Sequence, residues 1–161
     1  MSLDKEGEVT MRTYLLTALG AAAIAFAGVP ATAKQYVDYT PQKGFWDINA
    51  VEVDPNHVDE YLVGLRASLV STFEALKRNG VIDEYKFLTR TSYTKGSPNV
   101  LIMTHSPSYG VIDPNKERDQ KIDREIEAVF SKAQNDAAVA GYEKYRTFID
   151  DGQWQEIQMA K

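Results

Sequence analysis

Few side chains of the chain suit acid–base, nucleophilic or metal chemistry. It has no cysteine and two histidines, His57 and His105, which excludes thiolate catalysis, disulfides and cysteine-based zinc sites. His57 and Glu60 stand three residues apart in "NHVDE" and could supply half of a metal site, but no third ligand is near in the sequence. The pattern favours His57 as an exposed residue at a helix start, and we predict neither a metal nor a cofactor.

His105 is the candidate for chemistry. It follows the apolar run "VLIMT", at the end of a predicted strand, and precedes "SPSYG". A histidine at the mouth of an apolar cavity can act as a general base or hydrogen-bond a ligand. Tyr109 and Tyr85 are the candidates to lie near it. The alternative is a histidine at a strand end whose ring nitrogens form hydrogen bonds only with water or backbone. The sequence therefore does not identify the catalytic residues.

The aromatic content is high for this length, with nine tyrosines and two tryptophans. Trp46, Tyr85, Phe87 and Tyr93 are candidates to line a cavity between a sheet and a partner. Such residues more often form core and interface, where each ring buries a large area. The sequence contains no Ser-His-Asp pattern, HExxH motif, phosphate loop or credible pair of catalytic carboxylates.

The first 33 residues have the organisation of an export signal. Arg12 gives a basic start, an uncharged apolar stretch runs to Val29, and Ala31 and Ala33 form an A-x-A end. We predict cleavage after Ala33 and export to the periplasm, with 13–29 helical; an uncleaved anchor is the alternative. The stretch "MSLDKEGEVT" before Met11 fits no signal peptide and indicates an added remnant or an upstream start.

Without residues 1–33 the chain keeps 128 residues, enough for one domain with a single core. This part carries 16 basic and 20 acidic residues. A mildly acidic domain without a basic stripe argues against nucleic acid as a partner. Residues 34–44, "KQYVDYTPQKG", are polar and contain Pro41 and Gly44, so we interpret them as a linker.

Residues 45–161 predict two successive α and β units. "FWDINAVEV" is typical of a strand buried on both faces. Asp54-Pro55 then starts a helix of about 24 residues with apolar residues at three- and four-residue steps, and Gly80 ends it. "DEYKFLTRTSY" and 100–105 predict an antiparallel hairpin.

The second half predicts a helical region followed by a strand. Asp113-Pro114 repeats the helix-start pattern, and the helix breaks near "QND". The second part of the helix carries Phe148 and Ile149. A turn at 150–152 then leads to a last strand, "QWQEIQM".

The resulting order, βαββαβ, predicts an α+β, ferredoxin-like fold with a four-stranded antiparallel sheet and both helices on one face. Several strands carry bulky residues on both faces, for example Trp46 with Val51, and Ile102 with Met103. The helices cover only one face, and an exposed apolar sheet would be sticky in water. We therefore expect a homodimer in which a second copy covers the sheet.

The run "GFWDINAVEVDPNHVDEYLVGL" resembles the opening of dimeric α/β barrel proteins, in which a first strand ends in proline and leads into a long amphipathic helix. The resemblance extends over 45–159 as a pattern. That superfamily includes cofactor-independent monooxygenases, haem-degrading and peroxidase-like enzymes, muconolactone isomerase-like enzymes, and many exported domains without known activity. No catalytic motif of these enzymes matches, so none of their residues is carried over.

Three functions remain open at this stage. The first is an exported domain that binds a small molecule, or has no catalytic activity, with the ligand unknown. The second is a cofactor-independent monooxygenase- or isomerase-like enzyme that acts on a small apolar aromatic substrate in the barrel cavity. The third is a module that binds a protein partner through its second helical region.

Overall fold

The computed structural model describes residues 32–161, of which 35–161 form one compact unit. The signal segment predicted at 1–33, including its helix at 13–29, lies outside the described residues except for positions 32 and 33. Within the described part of the chain, every helix is too short or too polar to span a bilayer.

A four-stranded antiparallel sheet forms the centre of the molecule. Its strands are β2 (Phe45–Val53), β3 (Glu84–Thr89), β4 (Val100–Ser106) and β5 (Arg146–Trp154). Their spatial order is β3-β4-β2-β5, so the first strand of the sheet, β2, lies between the third and the fourth. This is the ferredoxin-like arrangement, and it confirms the predicted α+β fold.

The first helix follows β2 as the sequence predicts. Asp54 accepts a hydrogen bond from the backbone N–H of Asn56 at 2.9 Å, one 3₁₀ turn follows, and α1 covers Val58–Arg78. Gly80 has a φ of +70°, in the left-handed region where glycine is favoured.

The second helical region is broken in two, as predicted, but it begins differently. The cap is Asn115, which accepts a hydrogen bond from the N–H of Arg118 at 3.1 Å, and not Asp113. Helix α2 covers Lys116–Val129 and α3 covers Lys132–Tyr142. Ser131 starts α3 with a capping box that involves Gln134.

The core lies between the sheet and the helices α1 and α3. Four aliphatic residues on alternate positions of β2 and β4 pack against Tyr61 and Leu65 of α1 and Tyr142 of α3: Val51, Val53, Val100 and Ile102. The hydroxyls of Tyr142 and Ser68 are 2.8 Å apart, so these two buried polar groups form a hydrogen bond with one another.

The last strand is longer than predicted and starts earlier. Residues 145–152, interpreted as helix end and turn, belong mostly to β5, which pairs with β2 from Val53↔Arg146 to Trp46↔Trp154. Conversely, β3 ends at Thr89 and does not reach Tyr93. Pairing with a central strand thus overrides the local helical spacing.

A two-stranded ribbon that the sequence did not predict joins the ends of the domain. Strand β1 (Tyr39–Pro41) pairs antiparallel with β6 (Ile157–Met159). Strand β1 falls within 34–44, the segment interpreted as a linker, so this segment contains a piece of sheet.

Candidate functional site

The sheet has one face that α1 and α3 do not cover, which we call the open face. Alternation along the strands puts Val51 and Val53 towards the helices, so their neighbours point the other way. The apolar and aromatic cross-strand pairs on the open face are Trp46↔His105, Ile48↔Met103, Ala50↔Leu101, Leu88↔Leu101, Trp46↔Trp154 and Ile48↔Gly152. The pairs that contain a charged residue are Glu84↔His105, Lys86↔Met103, Ala50↔Asp150 and Glu52↔Thr147.

The open face is apolar at its centre. Ile48, Leu101 and Met103 are only partly buried, whereas Trp154 keeps 57% and Leu88 47% of their surface exposed. A contiguous apolar surface of this kind is typical of an interaction or ligand site.

His105 lies at one rim of the open face and is paired with a carboxylate. Its Nδ1 is 2.5 Å from Oδ1 of Asp83, and the N–H of Asp83 donates to the carbonyl of His105 at 2.9 Å. This double contact fixes the imidazole. In the neutral tautomer that donates from Nδ1 to Asp83, Nε2 is the ring nitrogen able to accept a proton or a hydrogen bond.

Trp46 forms the floor beside His105. The two ring centroids are 5.0 Å apart at an angle of 52°. The Nζ of Lys86 lies 4.6 Å from the centre of the Trp46 ring and 3.0 Å from Oε1 of Glu84. The rim therefore combines an aromatic surface, an oriented imidazole and a fixed cation within one cross-strand step.

Gly44 is required for this packing. It has a φ of +78°, and a Cβ at this position would lie 2.9 Å from Nε2 of His105 and 2.2 Å from the carbonyl oxygen of Ser106. Only glycine combines this conformation with the close approach of the ring.

The other predicted site residues lie elsewhere. Tyr85 and Phe87 point to the helix side of the sheet, where both contact Phe73, with ring centroids 5.3 and 5.9 Å away. The Tyr85 hydroxyl donates to Oε1 of Glu74 at 2.7 Å, and this bond to a carboxylate raises the pKa of Tyr85.

Tyr109 stacks on Phe45, with centroids 4.4 Å apart. Tyr93 lies near the far end of β2, where its hydroxyl donates to Glu52 at 2.9 Å. Of the six predicted site residues, the structure therefore brings together Trp46 and His105 at the rim, and separately Tyr85 and Phe87 under α1.

Sequence reasoning missed Asp83. Its position was informative, because it directly precedes β3, and the start of β3 pairs with the end of β4 at Glu84↔His105. Antiparallel pairing thus places a residue just before one strand beside a residue at the end of the other.

His57 lies away from this rim. Its ring stacks on Tyr145 at 3.9 Å, and its Nδ1 is 3.6 Å from Glu60. Across residues 32–161, no three histidine, aspartate or glutamate side chains converge in a way that could hold a metal ion.

Comparisons with known proteins leave the family open. No protein-family model and no curated protein matches the chain. Among solved structures, a NipSnap family protein of unknown function from Agrobacterium tumefaciens is similar over 76% of this chain and 95% of its own, with 9% identity and a TM-score of 0.43. A dimeric ferredoxin-like protein from an uncultured marine organism is similar over 74% and 91%, with 10% identity and a TM-score of 0.39. The ferredoxin-like assignment itself rests on the strand order given above.

Proposed function

We propose that the chain is an exported, non-catalytic domain that dimerises through its open face and binds a small apolar molecule there. The observation that carries this proposal is the open face itself: an apolar centre, with Trp46 and the His105–Asp83 pair at one rim. A second copy placed face to face would bury the apolar residues of both sheets, which is the main favourable term in such associations.

The residues of the open face also favour an internal space. Packed sheets lie about 10 Å apart and interdigitate their side chains. Ala50 and Gly152 have short side chains on adjacent strands, next to Ile48. Two such sheets would leave space over these positions, within reach of the Trp46 ring. A ligand with a flat apolar body and one hydrogen-bonding group suits this combination.

An enzyme is the second candidate, favoured by the His105–Asp83 contact of 2.5 Å. Asp83 would hold the imidazole while Nε2 removes a proton from an activated C–H or O–H group of an apolar aromatic substrate. This is the chemistry that a cofactor-independent monooxygenase- or isomerase-like enzyme needs. The same geometry also serves a hydrogen bond to a ligand, so a turnover measurement distinguishes the two candidates.

Sedimentation equilibrium tests the dimer. We expect the wild type to be dimeric at micromolar concentration and Met103→Glu to be monomeric, because the change buries a charge at the centre of the open face. Val63→Glu is the matched control, since Val63 on α1 is 70% exposed, and this variant should remain dimeric. A monomeric wild type would contradict the proposal.

Native mass spectrometry of the protein isolated separately from the periplasmic and cytoplasmic fractions of its own cells tests export and binding together. We expect a chain that begins at Lys34, and a dimer that carries a small molecule. His105→Gln should reduce the fraction carrying it without dissociating the dimer. A full-length, ligand-free chain recovered from the cytoplasm would refute both parts.

A further inference from the structure

A second pocket lies at the other end of β2 from His105. It is an open cavity of about 410 Å³ between the end of β2, the loop after β3 and the start of β5. Glu52 lines it, six residues along β2 from Trp46, which corresponds to roughly 20 Å at about 3.3 Å per residue. This basic pocket, defined by Lys95, Lys144 and Arg146, is therefore separate from the rim that contains His105.

The cations of the basic pocket form no salt bridge in the described part of the chain. Within residues 32–161, no carboxylate oxygen lies within 4.0 Å of the charged nitrogens of Lys95, Lys144 or Arg146. Lys95 attracts Glu52 from a longer distance and helps to lower its pKa. The field of the three cations favours an anion in the cavity.

Arg146 is held in place by aromatic rings. Its guanidinium lies 4.6 Å from the centre of the Phe148 ring and 5.3 Å from that of Tyr142. Both distances are within the range of cation–π attraction, about 6 Å from a ring centre, so the rings restrain the position of a group that carries five N–H donors. The buried hydroxyl of Tyr61 has no hydrogen-bond partner of good geometry within residues 32–161. Arg146 nevertheless opposes the rise that burial causes in the pKa of Tyr61, so the two groups are close.

The two carboxylates that line the pocket, Glu52 and Asp54, accept hydrogen bonds from neighbouring groups of the chain. Glu52 accepts from the N–H of Gly96 at 2.8 Å and from the Tyr93 hydroxyl at 2.9 Å, and these bonds, together with the charge of Lys95, hold its pKa below the usual range. Asp54 accepts from the N–H of Asn56 at the start of the first helix. Both carboxylates hold neighbouring backbone in place. With three cations and two carboxylates, the lining of the pocket carries one excess positive charge.

We propose that the basic pocket binds the carboxylate group of a small aromatic acid. One excess positive charge matches a monoanion, and the guanidinium fork binds a carboxylate through two parallel hydrogen bonds. The volume lies in the range of ligand pockets, about 300–1,000 Å³, and exceeds what a bare inorganic ion fills. The ring of Tyr93 lines the same cavity, is 46% exposed and offers apolar surface to the body of the acid.

Calorimetric titration of the whole protein with benzoate tests this proposal. Benzamide, the uncharged analogue, and inorganic phosphate are titrated alongside. We expect benzoate to bind with a millimolar or lower Kd, benzamide at least about tenfold more weakly, and phosphate more weakly than benzoate. Phosphate that binds more tightly than benzoate would overturn the carboxylate assignment, and equal binding of benzamide would overturn the role of charge.

Three variants locate the site. Arg146→Gln should weaken benzoate binding about tenfold or more, and Lys95→Gln about two- to fivefold, since Lys95 is an exposed side chain. Lys77→Gln, on the exposed surface of α1, is the control and should leave binding unchanged. Lys95→Gln keeps the test valid if Arg146→Gln does not fold. Equal benzoate binding by all three variants would refute the site. So would a wild type that binds no benzoate at a benzoate concentration of about 10 mM, ten times a millimolar Kd.

Discussion

The side chain of Asn99 forms hydrogen bonds with the backbone at the end of β2, where no strand residue pairs with it on that side. Removing this side chain should therefore lower the free energy of unfolding. Its Nδ2 donates to the carbonyl of Val53 at 2.8 Å, and its Oδ1 accepts from the N–H of Val53 at 2.7 Å. Both residues are buried. Asn99→Ala leaves two buried backbone groups of Val53 unpaired, each costing about 1–3 kcal/mol. Partial access of water at the strand end reduces the total to roughly 2–4 kcal/mol.

Urea unfolding followed by circular dichroism measures this loss of unfolding free energy. Thermal unfolding gives a second measurement: at roughly 4 °C per kcal/mol for a domain of this size, Asn99→Ala should lower Tm by about 8–16 °C. Asn99→Asp should not restore stability, because it keeps the acceptor but turns an oxygen towards the Val53 carbonyl. Asn56→Ala is the control: its amide bonds an exposed oxygen of Asp54, so we expect a change within about 0.5 kcal/mol. A loss below about 1 kcal/mol for Asn99→Ala, at an unchanged denaturant slope, would refute the reasoning.

Three further substitutions test packing and charge. Gly64→Ala should destabilise the fold by about 1–3 kcal/mol in urea, because the new Cβ would lie 2.1 Å from the buried ring of Tyr142. Gly141→Ala, with open space around it, should instead stabilise by about 0.5–1 kcal/mol. Burial and the nearby Asp151 raise the pKa of Asp47. Its ionised form therefore destabilises the fold, so Asp47→Asn should stabilise at pH 7. Unfolding measured at several pH values should show this gain disappearing as the pH falls towards 3.8, and a gain that persists in acid would contradict it.

The overall fold was predictable because its strongest signals are long and mutually consistent. The apolar period of α1 over five turns, the Asp54 cap and the Gly80 stop all agree with the structure. The apolar run of β4 also predicted His105 at a rim of the sheet, whereas its partner Trp46 was identified only by the register of β2 and β4.

The site was predicted only in part because face assignments depend on register. Tyr85 and Phe87 were candidates for the cavity beside Trp46, yet one step of register decides which face of β3 they occupy. The register Glu84↔His105 sends both rings under α1. Asp83 became visible as a partner of His105 only once this pairing was known.

The position of Arg146 shows most clearly what spacing alone does not reveal. On the open face, β5 contributes Trp154, Gly152 and Asp150, and simple alternation would continue with residues 148 and 146. The pairing shifts between Ala50↔Asp150 and Val51↔Phe148, so the strand contains one extra residue, a β-bulge.

The bulge reverses the alternation and sends Phe148 and Arg146 to the helix side, where Arg146 meets the Tyr142 ring. The bulge, which alternation in the sequence does not reveal, is therefore the feature that places Arg146 on the helix side of the sheet, among the residues that line the basic pocket.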